Sequence, residues 1–218
     1  MTDDALLPPS PLTWAYVDGW TEEEPELAEA RAVAQRLGVP VVSRATGSAL
    51  RFLAAASGAQ TIAEVGSGVG ISGAWLLQGM GATGILTTVD ADAELLTTTR
   101  DTLSRIGYRH TRVRAIAGDP YAVLPRLSDA GYDAVVIGPG VPLTRGEEHD
   151  LLREARRLLR PGGMFIVTHA LGEDGADADH RDLAMHLRDD PDWIPALLTV
   201  GEGILVAVLA AAPTEDSK

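Results

Sequence analysis

The sequence predicts an α/β fold, a doubly wound parallel sheet that closes on a reversed strand and is preceded by N-terminal helices. Three observations carry this. From Thr61 onward, short apolar runs alternate with stretches of helical period. A glycine-rich turn, "VGSGVG", separates the first of those runs from the helix that follows it. The chain ends on two apolar runs joined by "GEG", a hairpin that can pair only antiparallel.

The elements follow in order. Residues 1–20 carry three prolines and two tryptophans without periodicity, which predicts an arm packed on other structure, with a second subunit as a candidate. "TEEEPELAEARAVAQRLG" predicts a helix that opens at Thr21, with Glu24 at the capping-box position, and stops at Gly38. After the extended piece "VPVVS", a second helix is expected over about 47–57. Then "TIAEVG" is a strand, "ISGAWLLQGM" a helix, "GILTTVD" a strand, "AELLTTTRDTLSRIG" a helix and "TRVRAIAG" a strand. "PYAVLPRL" reads as a short helix, "YDAVVIG" as a strand, "EEHDLLREARRLL" as a helix, and "GGMFIVTHA" as a strand opened by the turn "RPGG". An acidic loop, "GEDGADADH", and one more helix lead into the hairpin "WIPALLTV"–"GEG"–"ILVAVLA". Such alternation forces parallel strands with helices on both faces. One domain over 21–212 is expected, with the arm at 1–20 and a disordered tail at 213–218.

Composition narrows the function. The chain has 218 residues, 45% apolar and 22% charged, with a net charge of −13 and no cysteine. The apolar runs are too short and interrupted to span a bilayer. The acidic, proline-rich start lacks a secretory pattern, so a cytoplasmic location is expected. Disulfides, thiolate nucleophiles and sulfur-bound zinc are excluded. The negative field repels phosphate backbones and anionic lipid, so neither nucleic acid nor membrane is expected as a partner. The aromatic arm (Trp14, Tyr16, Trp20) and the apolar run "ILVAVLAAA" predict a homodimer, because both would leave apolar patches on a monomer.

The chemistry concentrates at the glycine turn. Gly66, Gly68 and Gly70 let the backbone turn sharply and admit a ligand that meets no Cβ, beside the free N–H groups of a helix start. A dinucleotide fingerprint places its third glycine one position later, where this chain has Ile71, and that departure weighs against NAD. Asp90, 20 residues after Gly70, ends the second strand, where a carboxylate can accept hydrogen bonds from both hydroxyls of a ribose. Ribose recognition is common to NAD and S-adenosylmethionine. Glu64, two residues before the first glycine, suits a ligand that carries an ammonium group and is awkward beside a pyrophosphate.

Taken in order, "AEVGSGVGISGAWLL", "LTTVDADAELL", "AGDPYAVLPRL", "YDAVVIG", "LLRPGGMFIV" and "LTVGEGILVAVL" resemble the motifs of class I S-adenosylmethionine-dependent methyltransferases. The similarity is to the bacterial O-methyltransferase group related to catechol and caffeoyl-CoA methyltransferases, and it spans about 42–209. The resemblance implies a Rossmann-like, seven-stranded sheet with a reversed last strand, and S-adenosylmethionine as cofactor. It implies that Glu64, Gly66, Ser67, Gly68 and Ser72 hold the methionine end, that Gly70 also contacts the cofactor, that Asp90 binds the ribose and that Asp119 binds the adenine amino group. Val42 would line the wall over the methionine moiety. The same family usually carries a carboxylate at the end of the fourth strand, a lysine three residues later, and an Asp-Asn pair at the end of the fifth. Together these hold a divalent metal that acidifies a pair of adjacent substrate hydroxyls. The aligned residues here are Gly138, Val141, Thr168 and His169, and one imidazole with one hydroxyl makes no oxygen cage, so no metal is expected. His169 is then the candidate base, since an imidazole suits proton removal at neutral pH. The expected activity is metal-independent O-methylation of a small hydroxyl-bearing acceptor. The alternative is a protein that binds the cofactor without transferring its methyl group.

Overall fold

The computed structural model describes residues 10–142, 148–171 and 178–211. Three helices come first: α1 (Pro11–Trp20), α2 (Pro25–Leu37) and α3 (Arg44–Ala56). There follow β1 (Thr61–Val65), α4 (Ile71–Gly79), β2 (Ile85–Asp90), α5 (Ala93–Arg105), β3 (Val113–Ala117) and the short α6 (Pro120–Val123). The chain continues through β4 (Tyr132–Ile137), α7 (Glu148–Leu158), β5 (Leu159–Thr168), α8 (Ala178–Asp189), β6 (Trp193–Leu198) and β7 (Ile204–Leu209). The sheet order is β3-β2-β1-β4-β5-β7-β6. The first five strands are parallel, and β7 runs antiparallel to both of its neighbours. The reversed strand is thus last in sequence but lies inside the sheet.

Strand alternation feeds two cores, because side chains of period two point to opposite faces. Ile62, Ala134, Val136, Ile166 and Val206 join Leu27, Leu50, Trp75 and Leu77 on the face that α2, α3 and α4 cover. Val65, Val135, Ile137, Phe165, Val167 and Leu205 join Leu151, Leu158, Leu183 and Trp193 on the other. With both faces covered, the central strands read as continuous apolar runs.

The structure corrects several expectations. Residues 11–20 form a helix, N-capped by Ser10 with Pro11 in its first turn, and it has no buried residue. Pro11, one of the three prolines that suggest irregularity, is a helix start, since proline's fixed φ suits the first helical position; Pro8 and Pro9 lie outside the described residues. Thr21 ends α1, and α2 begins only at Pro25, with Glu24 as its cap. Proline disfavours helical geometry in the residue before it, so no helix runs through 21–24. The "RPGG" turn lies inside β5: Leu159 pairs with Tyr132 but Met164 with Ala134, so the segment 160–163 bulges out around Gly162 at φ 82°. The terminal run gives no exposed patch, because β7 sits between two strands with Ile204 and Leu205 buried. Residues 172–177 of the acidic loop and the tail expected at 213–218 lie outside the described residues.

Candidate active site at the strand tips

At the end of β1 the chain turns through Gly66, Gly68 and Gly70, with φ of 83°, 52° and 90°. All three lie in the left-handed region that disfavours any Cβ. Space enforces the same choice. A Cβ on Gly66 would stand 2.6 Å from Val141 Cγ2, and one on Gly70 would stand 3.2 Å from the backbone of Thr99. Gly70 caps α4, so the N–H groups that open this helix face the turn without a side-chain cap.

Two acids flank this cradle in different ways. Asp90, half-buried at the tip of β2, accepts from Ser67 Oγ at 3.1 Å and Gly68 N at 3.2 Å through Oδ2, and from Asp92 N at 3.0 Å through Oδ1. It braces the turn and keeps lone-pair capacity on Oδ1 for a further donor. Ser67, which the family resemblance assigns to the methionine end, is buried and turned toward Asp90. Glu64 is fully buried behind the cradle, accepting from Ser72 Oγ at 2.6 Å and Thr88 Oγ1 at 2.7 Å. It therefore sits behind Ser72 rather than at a ligand-facing surface. Burial raises its pKa above the ordinary carboxyl value, the two hydroxyl bonds oppose that rise, and the nearby Asp90 charge adds to it. Asp119 is exposed and caps α6 through a bond from Tyr121 N at 3.1 Å.

The opposite wall is the segment Val39–Ser43. The Val42 side chain is buried, and its carbonyl accepts from Arg31 Nη1 at 2.8 Å. Arg31 is itself paired with the nearly buried Glu23, which also meets Arg44 at 3.4 Å. Ser43 caps α3, and Asp18 of α1 accepts from Ala45 N at 3.1 Å. The space left among Pro40, Val42, the glycine turn, Ser72 and Pro139 is about 10 Å³, so the wall lies close on the turn. A larger hollow of about 510 Å³, lined by Arg100, Tyr108 and His110, opens where β3 begins. That is the end of the strands opposite to the one where such sheets bind ligands, so size alone does not mark the site.

Sequence reasoning passes over three residues that shape this region. Thr88 shares the Glu64 carboxyl with Ser72. Its signal is a buried hydroxyl residue in an otherwise apolar central strand. Gly73 lets α4 close on β1 and β2, since a Cβ there would meet Leu86 Cδ2 at 2.9 Å and Glu64 Oε2 at 3.3 Å. A glycine inside a helical run is its signal. Arg31 has none, because its partner is the Val42 carbonyl 11 residues away.

On the acceptor side, β4 ends at Ile137 and Gly138 N donates to Val65 O at 2.8 Å. Thr168 Oγ1 is buried and donates to Ile137 O at 3.0 Å, tying β5 to β4. His169, just past the β5 tip, is half-buried and has φ 59°, a left-handed conformation uncommon for a residue with a side chain. Ala170 N and Leu171 N donate to Gly203 O and Glu202 O, so the turn between β6 and β7 anchors the backbone after His169.

Comparison with known proteins decides the family. A methyltransferase-domain model matches residues 62–163. A Mycobacterium tuberculosis protein named as an O-methyltransferase is 40% identical over 204 residues, covering 89% of each chain. The chain belongs to this O-methyltransferase family. A Mycobacterium avium relative of the same name is 38% identical over 203 residues, covering 89% of this chain and 90% of its own. Among solved structures, a Corynebacterium glutamicum protein superposes with TM-score 0.80 at 27% identity, covering 91% of this chain and 95% of its own. The O-methyltransferase TomG from Streptomyces achromogenes, solved in complex with SAM, shares the fold: TM-score 0.76 at 23% identity, over 91% of this chain and 97% of TomG.

The positions that the family resemblance aligns with metal ligands hold a poor donor set in this chain. Gly138 offers no side chain, the Thr168 hydroxyl is committed to Ile137 O, and His169 is an imidazole where hard divalent cations take oxygen. Among the described residues, no group of three or more His, Asp or Glu could hold a metal ion.

Proposed function

We propose that this O-methyltransferase transfers the methyl group of S-adenosylmethionine to an oxygen of a small acceptor, without the divalent metal that the family resemblance implies. The observation that carries the reading is the crowded glycine cradle braced by Asp90, with Ser72 and the Val42 wall facing each other across it. The residues suit the cofactor: open backbone at Gly66, Gly68 and Gly70, an acceptor for ribose hydroxyls at Asp90, and an exposed carboxylate at Asp119 for the adenine amino group. Bound there, the cofactor supplies an activated methyl on a sulfonium. The protein's part is to hold that methyl in line with the acceptor and to exclude water. Val42 and Ser72 set the methionine end, and Glu64 orients Ser72 from behind. His169 at the β5 tip takes the acceptor proton where the acceptor does not ionise by itself.

The reading extends to assembly and place. No helix among the described residues is long and apolar enough to cross a membrane. We place the enzyme in the cytoplasm as a homodimer, joined through the apolar face on which Leu12, Tyr16 and Trp20 of α1 and Phe52 of α3 stand exposed. The net charge of −13 supports small molecules rather than nucleic acid or membrane as partners. Calorimetry with S-adenosylhomocysteine and transfer of labelled methyl to a panel of phenols and hydroxy acids test the function. Absence of binding heat refutes the cofactor assignment, and binding without transfer to any acceptor refutes the enzyme.

A further inference from the structure

Resting on that reading, the geometry points to Gly138 as the residue that sets the acceptor class. The tips of β1 and β4 are drawn so close that no metal-binding carboxylate fits between them, and the acceptor is an oxygen that ionises singly rather than a chelated pair of adjacent hydroxyls.

The contact is between backbones. Gly138 N donates to Val65 O at 2.8 Å, extending the β1–β4 ladder past Ile137. A Cβ on Gly138 would stand 2.5 Å from Gly66 O, 3.1 Å from Val65 O and 3.4 Å from Gly66 C. These are backbone atoms at the end of β1 and the start of the glycine turn, and they cannot rotate aside as a side chain would. The segment beyond is wedged as well: Val141 Cγ2 lies where a Cβ on Gly66 would reach, and a Cβ on Gly140 would meet Pro40 Cγ at 2.8 Å. A side chain at 138 therefore displaces the cofactor cradle. Thr168 closes the second position by its bond to Ile137 O.

The chemistry follows. In the transfer, an oxygen lone pair forms the O–CH₃ bond while the S–CH₃ bond breaks, leaving a neutral thioether. The acceptor proton has to leave before or as the O–CH₃ bond forms, and with no metal to acidify two hydroxyls the favoured acceptor is one already anionic near neutral pH, such as an acidic phenol or a carboxylic acid. For these no proton moves during transfer. A neighbouring second hydroxyl brings no advantage.

The test compares wild type, Gly138→Ala and Gly138→Asp by calorimetry with S-adenosylhomocysteine and with Mn²⁺, and wild type by methyl transfer to a catechol and a monophenol of matched acidity, with and without EDTA. We expect Gly138→Ala to bind S-adenosylhomocysteine at least about tenfold more weakly and Gly138→Asp not detectably. No protein gains Mn²⁺ binding, EDTA changes nothing, and the catechol is no better than the monophenol. The inference is overturned if Gly138→Asp binds S-adenosylhomocysteine within about threefold of wild type, if either protein binds Mn²⁺, or if EDTA abolishes transfer to the catechol. Should Gly138→Asp not fold by circular dichroism, Gly138→Ala reads the same contact. Failure of wild type to bind S-adenosylhomocysteine overturns the cofactor assignment instead, and the pinch is then judged by Mn²⁺ titration of Gly138→Asp.

Discussion

Glu64 sets the terms at the scale of single residues. Buried with two hydroxyls and no cation, its carboxyl holds a proton above the ordinary value of 4.5 in the folded chain and releases it near that value when unfolded. Between the two values the folded state binds the additional proton, so stability falls as pH rises through that interval. Thermal melts of the unliganded protein from about pH 4.5 upward should show this decline, and Glu64→Gln should flatten it; an unchanged slope in the variant would place the titration elsewhere. Asp90 acts through its bonds to Ser67 and Gly68 as well as through the ribose it is proposed to hold. Asp90→Ala should weaken S-adenosylhomocysteine binding by about 1.5–3 kcal/mol, the range for hydrogen bonds to a charged acceptor, and unchanged affinity in calorimetry would remove Asp90 from the site.

At the scale of elements, α4 meets the sheet through Gly73. Alanine favours a helix by about 1 kcal/mol over glycine, but a Cβ there would press on Leu86 Cδ2 and Glu64 Oε2. Overpacking costs about 1–3 kcal/mol, so Gly73→Ala should lower the urea midpoint at unchanged m-value; a rise would mean that α4 shifts freely. The β5 bulge serves β4 and β1, since Arg160 from the bulge pairs with Asp133, which also accepts from Gln60 N and Thr61 N at 2.7 and 2.8 Å. Burial works against the Asp133 charge, and these bonds together outweigh it and lower the pKa. Its contribution is thus present at neutral pH and fades as pH falls through the lowered value. Asp133→Asn should flatten the acid limb of the stability curve and cost about 1–3 kcal/mol at neutral pH, measured by urea unfolding. The strands themselves are legible in sequence because burial on two faces makes continuous apolar runs. The bulge is not, because "RPGG" has the same local chemistry whether it precedes a strand or interrupts one.

At the scale of the whole molecule, Leu12 (82% exposed), Tyr16 (73%) and Trp20 (69%) on α1 lie with Phe52 (69%) on a surface that water covers poorly. Sedimentation at micromolar concentration should give twice the chain mass, and the double variant Trp20→Ser, Phe52→Ser should give the single mass. A wild-type monomer would show that α1 serves only its own chain, through the bond from Ala45 N to Asp18.

The sequence by itself determined the order of elements from α2 onward, the reversed last strand, the glycine turn and the acid at the end of β2, because periodicity, turn chemistry and short spacing are local properties of a chain. Its resemblance to the family also pointed to Gly138, Thr168 and His169 as the residues at the expected metal-ligand positions. Only the tertiary structure decided that Glu64 lies behind Ser72, that Arg31 holds the Val42 carbonyl, and that Gly138 faces the backbone of Gly66 with no room for a side chain. Those facts arise where strands distant in sequence come within a few ångströms of each other, and such distances are set by packing rather than by neighbours in the chain.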